Sequence, residues 1–395
     1  MTLLSVNAGS SSLKVAVFDD NQLEVPQFSL NVEGIGTETA TLVPNGEFGD
    51  PDTQTLPILT TAEAAEAVRQ WLEEKHSIGP NSIKAIGHRI VHGGAKYTKA
   101  TIVDEELMSY LESITPLAPN HMPATLASLN AFVQAFSEVP HVASFDTSFF
   151  ANVPKVAKTL PIPKKVQDEY GIQRFGFHGL SYEYLLDSFT ANEGQEAANG
   201  RVIMAHLGSG ASVAASLNGS PIDMSMGFTP VSGIMMSTRT GDIEPGVLAY
   251  LQTQHGMTAE EVARMVTHES GLLGVSGVTN DMLQLLNTQH ENESVALALE
   301  LFTYKLKKQF GAYVAALGGV DSIIFTGGIG ERSAEIRERV CSNLEFFGIS
   351  IDEARNKAND RRISSDDSKV GVYVIPARED ASIMKEANAL LNQQA

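Results

Sequence analysis

The chain has 395 residues, with 28 Lys and Arg against 47 Asp and Glu, which gives a formal net charge of −19. This charge disfavours nucleic acid and anionic membranes as partners, because both would repel the protein. The single cysteine, Cys341, excludes a disulfide framework or a thiolate metal site and fits a reducing cytoplasm. Since no apolar run approaches the roughly 20 residues that span a bilayer, we expect a cytoplasmic protein, and its length predicts two domains.

The N-terminal segment predicts a β-hairpin with a polar tip. Two apolar strands flank a Gly- and Ser-rich turn at 7–12. The same scheme recurs at 202–217, where Gly208 and Ser209 repeat the Gly-Ser dipeptide of the first turn. Because the hydrophobic pattern, the turn chemistry and the second strand recur together, we predict an internal duplication with a boundary near residue 150.

Further helices and strands follow each hairpin, which makes the predicted class α/β. A helix at 62–76 is predicted with Thr61 as its N-cap, and Pro123 opens a helix that runs to about residue 138. The other predicted elements are strands at 141–145, 322–325 and 371–375 and helices at 294–317, 334–347 and 379–391.

Three Gly-rich turns are candidate phosphate-binding segments. Residues 7–14 combine backbone N–H groups, three hydroxyls and an ammonium at one hairpin tip, as a phosphate requires, although a tight solvated turn is the alternative. This segment is not a Walker A loop, because no Gly-Lys-Ser/Thr precedes a helix. Residues 206–210 and 326–331 are two more such turns, and glycine lets the backbone approach a ligand closely. Together the three turns favour a nucleotide held between the halves.

Two arginines and one histidine are candidates for charge stabilisation. Arg89 and Arg239 lie in apolar settings flanked by Gly or Ser, where a guanidinium needs an anionic partner, either a structural carboxylate or a substrate. Fixed cations suit phosphoryl transfer, because they stabilise charge on the equatorial oxygens. His178 lies between apolar rings and a predicted helix start, where a satisfied core histidine is the commoner alternative.

Two acidic residues are candidate metal ligands. Asp146 ends a predicted buried strand, and Glu379 precedes Asp380 at a predicted helix start, where a carboxylate could also simply cap the helix. Strand-end carboxylates commonly face ligands in α/β proteins, so coordination of Mg²⁺ is the functional interpretation.

These motifs together resemble the acetate kinase family, which includes propionate and butyrate kinases. The resemblance runs from Asn7 to Glu379 through five ordered motifs: NAGSSSLK, GHRIVHGG, FDTSF, the pair RFGFHG and HLGSG, and MGFTP followed by TRTGDIEPG. It implies the duplicated fold of actin, Hsp70 and sugar kinases, two domains with the active site in an interdomain cleft, and a homodimer. The implied N-terminal domain comprises 1–149 and, because the C-terminal helix returns to it, 380–395. The implied second domain comprises 150–379 and serves nucleotide binding and dimerisation.

The resemblance also implies roles for individual positions, and His121 matches the family as well. The implied catalytic residues are Asp146, Arg89, Arg239 and His178. The implied substrate-binding residues are Arg89, Val91, Asn120, Phe177 and Pro230. The implied nucleotide-binding residues are Lys14, His206, Gly208, Ser209, Gly210, Asp281, Gly327, Gly328, Ile329 and Gly330. The implied metal ligands are Asn7 and Glu379, and the implied phosphate loop contains Ser10 and Ser12.

The implied reaction is reversible transfer of the terminal phosphoryl group of ATP to acetate, which gives acetyl phosphate and ADP, with Mg²⁺ or, alternatively, Mn²⁺. A carboxylate acceptor, with a pKa of roughly 4.3 in a Glu side chain, is already ionised at neutral pH and needs no general base. Asp146 and Glu379 therefore suit the metal better than proton transfer. The site must instead screen repulsion between two anions during in-line transfer.

Four positions depart from the family pattern. Ser209, Leu283 and Arg332 lie in the predicted nucleotide half and leave a phosphoryl donor other than ATP as an alternative. Asn120 replaces an apolar residue of the acyl pocket and leaves propionate or another short carboxylate as an alternative. A sugar kinase on the same fold would need an Asp base, and a non-catalytic protein of the actin type would need no arginine pair.

Overall fold

The computed structural model describes residues 1–9, 11–44 and 52–393. These residues form two compact units. The first unit comprises Met1–Ala151, Gly179–Tyr184 and Arg378–Ala395, and the second comprises Asn152–His178 and Leu185–Ala377. In the part of the chain that is described, no helix is both long and apolar enough to cross a membrane.

The strands alternate with helices along the chain, as expected for an α/β protein. The strands are β1 (Thr2–Ala8), β2 (Ser12–Asp19), β3 (Phe28–Glu33), β4 (Thr37–Pro44), β5 (Gln54–Ile58), β6 (Ile83–Ile90), β7 (Thr101–Ile102), β8 (His141–Phe145), β9 (Val202–Leu207), β10 (Ala211–Leu217), β11 (Ser220–Met224), β12 (Ser322–Thr326) and β13 (Gly371–Val374). The helices are α1 (Thr61–His76), α2 (Glu105–Ser113), α3 (Met122–Ala135), α4 (Lys155–Lys158), α5 (Lys164–Tyr170), α6 (Gly179–Glu193), α7 (Gln195–Ala198), α8 (Pro245–His255), α9 (Ala259–His268), α10 (Gly271–Ser276), α11 (Met282–Thr288), α12 (Glu293–Leu317), α13 (Gly327–Arg332), α14 (Ala334–Cys341), α15 (Glu353–Ala358) and α16 (Glu379–Asn392).

Each unit is built on one mixed sheet, and the two sheets share a topology. The first has the strand order β5-β4-β3-β2-β1-β6-β8-β7, and the second has the order β11-β10-β9-β12-β13. In both, a three-stranded antiparallel meander is followed by two parallel strands beside its first strand. The predicted α/β class and the predicted duplication are therefore confirmed, and the first sheet carries three additional edge strands.

The register of the two hairpins shows where the copies differ. Asn7 lies opposite Lys14 in the first hairpin, and His206 lies opposite Ser212 in the second. Each is the second residue pair counted from the turn of its hairpin. The turn of the second hairpin is one residue shorter than that of the first. Equivalent backbone positions in the two hairpins therefore carry different functional side chains.

Helices cover both faces of the first sheet, because successive strand residues point to opposite sides. Leu4 of β1 packs in a cluster with Val68 of α1 and Phe132 of α3. Its neighbour Leu3 packs on the other side with Ile383 and other residues of α16. The C-terminal helix is therefore part of the core of the first unit.

Several predicted boundaries were wrong by a few residues. The N-cap of α1 is Thr60 and not Thr61, since Thr60 forms a reciprocal capping box with Glu63. The helix predicted to reach residue 347 ends at Cys341, because the chain turns at Asn343, which has a left-handed φ of 58°. The segment predicted as a Gly-rich turn after β12 forms the short helix α13. Burial raises the pKa of the Cys341 thiol to about 12, in keeping with a core residue.

Candidate active site

Arg89 and Asp146 form an ion pair at one edge of the first sheet. Arg89 is the penultimate residue of β6, and Asp146 follows directly after β8, its parallel neighbour. Arg89 Nη2 donates to Asp146 Oδ2 at 2.7 Å, and Nε lies 3.2 Å from both carboxylate oxygens. The carboxyl ends of parallel strands meet at one edge, so the fold itself brings the two side chains together.

Asn7 and Glu379 complete this cluster in the first unit. Arg89 Nη1 donates to Asn7 Oδ1 at 3.3 Å and lies 3.4 Å from Glu379 Oε2. Asn7 Nδ2 also donates to Glu379 Oε2, at 3.4 Å. Three residues predicted from distant motifs thus converge on the guanidinium of Arg89, which has two carboxylates and an amide oxygen around it.

The charges in this cluster perturb one another. Burial raises the pKa of Asp146, and the charge of Arg89 offsets part of that effect. Burial alone would lower the pKa of Arg89, but Asp146 and Glu379 outweigh it, so the pKa of Arg89 is raised. Arg89 is consequently a permanent cation, and its side chain remains 20% exposed, which leaves it accessible to an anion.

The oxygen atoms of this cluster fit Mg²⁺. Mg²⁺ prefers oxygen ligands and usually binds through one or two carboxylates while keeping several waters. Asp146, Glu379 and Asn7 supply carboxylate and amide oxygens. Within residues 1–9, 11–44 and 52–393, no three His, Cys, Asp or Glu side chains gather as an all-protein metal cage. The donor set therefore suits a hydrated hard cation.

The remaining predicted residues of the first unit lie near β2, β6 and α3. Val91 directly follows β6 and is half-buried, whereas Asn120 is exposed shortly before α3. Lys14 and Ser12 lie on β2, with Lys14 exposed opposite Asn7, and Ser10 lies outside the described residues. Their predicted roles stay predictions.

His178 of the second unit has an unusual backbone conformation. Its φ of 60° lies in the left-handed region, which is rare for residues other than Gly, and it immediately precedes α6. Its ring Nδ1 lies 2.8 Å from the hydroxyl of Ser212, and its ring stacks on that of His206 with centroids 4.3 Å apart. The imidazole is therefore held by contacts on two sides.

Arg239 and His178 flank the same glycine of the 206–210 turn. A Cβ atom built at Gly210 would lie 3.5 Å from Arg239 Nη1 and 3.5 Å from His178 Nε2. Arg239 Nη1 also donates to the carbonyl of Pro230 at 3.0 Å, and burial lowers the pKa of Arg239. A guanidinium and an imidazole thus point toward one turn, an arrangement that can stabilise an anion.

The two Gly-rich segments of the second unit lie side by side. Gly327 has a φ of 77°, and a Cβ atom built there would lie only 2.7 Å from the carbonyl oxygen of Leu207. This close approach, which only glycine permits, brings the start of α13 against the end of β9 and beside Gly208. Gly328 has open space around its Cβ position, so the surface of α13 there is accessible.

Glu331 and Arg337 hold α13 in this position. Glu331 Oε1 accepts hydrogen bonds from the N–H groups of Gly327 and Ala377, both at 2.9 Å. Arg337 is fully buried and donates to the carbonyls of Gly330 at 2.8 Å and Glu331 at 2.9 Å. Burial lowers the pKa of Arg337 to about 10. Sequence reasoning missed Arg337 and gave Glu331, the last residue of the predicted Gly-rich turn, no role of its own, because a short-range pattern does not show which backbone groups a side chain meets.

Other predicted residues of the second unit have evident structural contacts. Asp281 caps α11, since its Oδ1 accepts from Gln284 N–H at 2.7 Å. Phe177 is buried, while Leu283 and Arg332 are exposed. The predicted roles of these residues in ligand binding stay predictions.

Comparison with known proteins identifies the family. The model of the Acetokinase family matches residues 2–385. The chain belongs to the acetokinase family. An acetate kinase of Clostridium botulinum is 38% identical over 399 residues, which cover 99% of this chain and 100% of the relative. The sequence resemblance is thereby confirmed over nearly the whole length of this acetokinase-family chain.

Two crystal structures, of an acetate kinase and of a propionate kinase, are similar to the structure of this chain. That of Porphyromonas gingivalis acetate kinase has a TM-score of 0.89 at 34% identity, with 99% of each chain covered. That of a propionate kinase from Francisella tularensis has a TM-score of 0.90 at 32% identity, with 98% of each chain covered. The fold of the acetokinase family is therefore established for this chain.

Proposed function

We propose that this protein transfers the terminal phosphoryl group of ATP reversibly to acetate and thereby forms acetyl phosphate and ADP. The observation that carries the proposal is the cluster of Arg89 with Asn7, Asp146 and Glu379 in a chain that aligns over its full length with acetate kinases. One accessible cation beside several oxygen ligands suits a reaction that joins two anions on a divalent cation.

The geometry favours charge stabilisation over proton transfer. Both carboxylate oxygens of Asp146 already accept hydrogen bonds from Arg89, so this residue is poorly placed to act as a base. Acetate is ionised at neutral pH and needs none. Arg89 and Arg239 would bind the substrate carboxylate and the transferring phosphoryl group, and His178 would donate a hydrogen bond to that phosphoryl group.

Mg²⁺ is the proposed cofactor, held through Asp146, Glu379 and Asn7 with water in its remaining positions. When bound, it would neutralise negative charge on the nucleotide phosphates. Mn²⁺ has the same preference for oxygen ligands and is the proposed substitute. The residues of the turn at 206–210 and of α13 would contact the nucleotide.

A second copy of the chain is the proposed protein partner. Helix α8 buries none of its residues and exposes Val247 and Tyr250, and α12 exposes Leu297 and Tyr304 on the same unit. Contiguous exposed apolar surface marks protein interfaces, and these four side chains would contribute to such a surface. Light scattering on the purified protein measures the mass directly. A monomer at micromolar concentration would refute the proposed dimer.

A hydroxamate assay with acetate, ATP and Mg²⁺ tests the proposed reaction, because hydroxylamine traps the acyl phosphate. Parallel reactions contain propionate or butyrate as the acceptor and GTP or pyrophosphate as the donor. We expect acetate to be used first and propionate second, because Val91, as the proposed lining of the acyl pocket, would leave little room for a longer chain. No product with any carboxylate would refute the proposal. A strong preference for pyrophosphate would instead show that Ser209, Leu283 and Arg332 changed the donor.

A propionate kinase is the second candidate, and it rests on one observation. Asn120 occupies a position where the family pattern has an apolar residue. An apolar pocket distinguishes two substrates that differ by one methylene by only about 1–3 kcal/mol, so one side chain can change which of them is preferred. The structure leaves Asn120 exposed, so its amide can be solvated without contacting an acyl group. The ratio of kcat/KM for acetate and propionate decides between the two candidates.

A further inference from the structure

The pair formed by His206 and Ser212 lies directly beside the imidazole of His178. We propose that Ser212 is a positioning residue that holds His178 with its ring hydrogen on Nε2, ready to donate to an anion. This inference rests on the proposed function for the part that His178 plays in the reaction. It adds a residue outside the motifs that sequence reasoning selected as catalytic or binding.

The strand register explains why two side chains can hold one ring. Ser212 of β10 lies directly opposite His206 of β9 in the antiparallel pair. Directly opposed residues project on the same face of a sheet, with their Cβ atoms about 4.5–5.5 Å apart. The ring of His178 accordingly stacks on His206 at an interplanar angle of 20° and bonds Ser212 Oγ at 2.8 Å. One contact sets the plane of the ring and the other sets its rotation.

The backbone of His178 shows why such support is needed. Holding a non-glycine residue in a sparsely populated backbone region is unfavourable, and the residue stays there only when its surroundings fix it. His178 has a φ of 60° immediately before α6. The hairpin contacts supply that fixation, and they aim Nε2 at the Gly210 position, where Arg239 also points.

The hydroxyl also selects the tautomer. A neutral imidazole has one nitrogen that donates and one that accepts. When the Ser212 hydroxyl donates to Nδ1, the ring hydrogen must lie on Nε2, which then faces the 206–210 turn as a donor. In the imidazolium form both nitrogens carry hydrogen, so Nε2 donates whether or not the hydroxyl is present. The benefit of Ser212 is therefore specific to the neutral ring.

Ser216 provides a matched control on the same strand. It lies four residues after Ser212, so both side chains project on the same face of β10. Both serines are buried, but Ser216 Oγ has no hydrogen-bond partner among the described residues. Ser216→Ala therefore removes a buried hydroxyl from the same strand without touching His178. Ser212→Thr keeps a hydroxyl at the position of interest.

Steady-state kinetics with acetate and ATP at several pH values test the assignment. At about pH 8, Ser212→Ala should lower kcat about tenfold with little change in either KM, as expected for the loss of one oriented hydrogen bond. At about pH 5.5, below the ordinary pKa of histidine, the deficit should shrink to less than about threefold. Ser216→Ala should stay near wild type at both pH values, and Ser212→Thr should recover most of the lost activity.

Two kinetic results would overturn the assignment. A deficit of equal size at both pH values would mean that Ser212 supports the strand without acting on the tautomer. Wild-type activity in Ser212→Ala would mean that the contact does not matter. The ring ¹⁵N chemical shifts of His178 report its tautomer without any turnover, so they separate this inference from the proposed function. A hydrogen on Nδ1 in the wild-type protein would refute the inference even in an active kinase.

Discussion

Replacing Glu386 with Gln should change how the stability of the protein depends on pH. Glu386 lies on α16, two turns after Glu379, and its Oε2 is buried without a hydrogen-bond partner among the described residues. Burial, followed by the nearby charge of Glu183, raises the pKa of Glu386 from 4.5 to about 8. The folded protein therefore binds this proton far more tightly than the unfolded chain does.

The sign of the effect follows from this raised pKa. The stabilisation from the bound proton is complete below the unfolded pKa of 4.5 and is lost as the pH rises through about 8. At about 1.4 kcal/mol for each pKa unit, the loss has an upper bound of about 5 kcal/mol. Because the pKa of Glu386 also depends on the charge of Glu183, the titration belongs to an interacting pair, and we expect a measured loss of about 2–3 kcal/mol. Gln is neutral at every pH and should abolish this loss.

Urea denaturation of wild type and Glu386→Gln at about pH 5.5 and about pH 8.5 measures the difference. The excess stability of the variant over wild type should be clearly smaller at the lower pH than at the higher pH. Glu338→Gln, at an exposed position on α14, is the control for a general loss of one negative charge. Parallel pH dependence in wild type and Glu386→Gln would refute the assignment of a proton to this site.

Three further outcomes are expected from variants of the candidate site. Arg89→Ala and Arg239→Ala should each reduce kcat at least about a hundredfold, as for one preorganised donor, and activity within a fewfold of wild type would contradict the mechanism. Glu331→Ala should weaken ATP binding at least about fivefold in calorimetry by releasing the start of α13, whereas Glu331→Gln, whose carbonyl can accept the same two hydrogen bonds, should bind nearly as well as wild type. Asn120→Leu should raise kcat/KM for acetate and propionate by about threefold, and unchanged values would show that the side chain stays in solvent.

The duplication was predictable because it depends on local signals. A strand, a Gly-rich turn and a second strand leave their pattern in about fifteen consecutive residues, and the pattern was visible around both Gly9 and Gly208. The order of strands in each sheet was not visible in the same way. Pairing β1 with β6 joins segments separated by some eighty residues, and short-range patterns carry no information about such partners.

The contents of the candidate site were predictable to different degrees. Arg89 and Asp146 were found because each is polar within an apolar strand context. Ser212 and Glu386 escaped notice, since a serine in a strand and a glutamate in a helix are ordinary residues. Their importance depends on what lies opposite: His206 across the hairpin for the serine, and Glu183 of α6 for the glutamate.

The return of the C-terminal helix to the first unit has a consequence for biosynthesis. Helix α16 packs so tightly on β6 that a Cβ atom at Gly87 would lie 2.4 Å from the Ile383 side chain. Domains usually fold as units while the ribosome is still synthesising the chain, N-terminal ones first. Here the N-terminal sheet emerges first but lacks α16, which covers one of its two faces, until that helix leaves the exit tunnel. The second unit, whose residues lie in the middle of the sequence, can therefore finish folding before the first unit, which contains the N-terminal sheet.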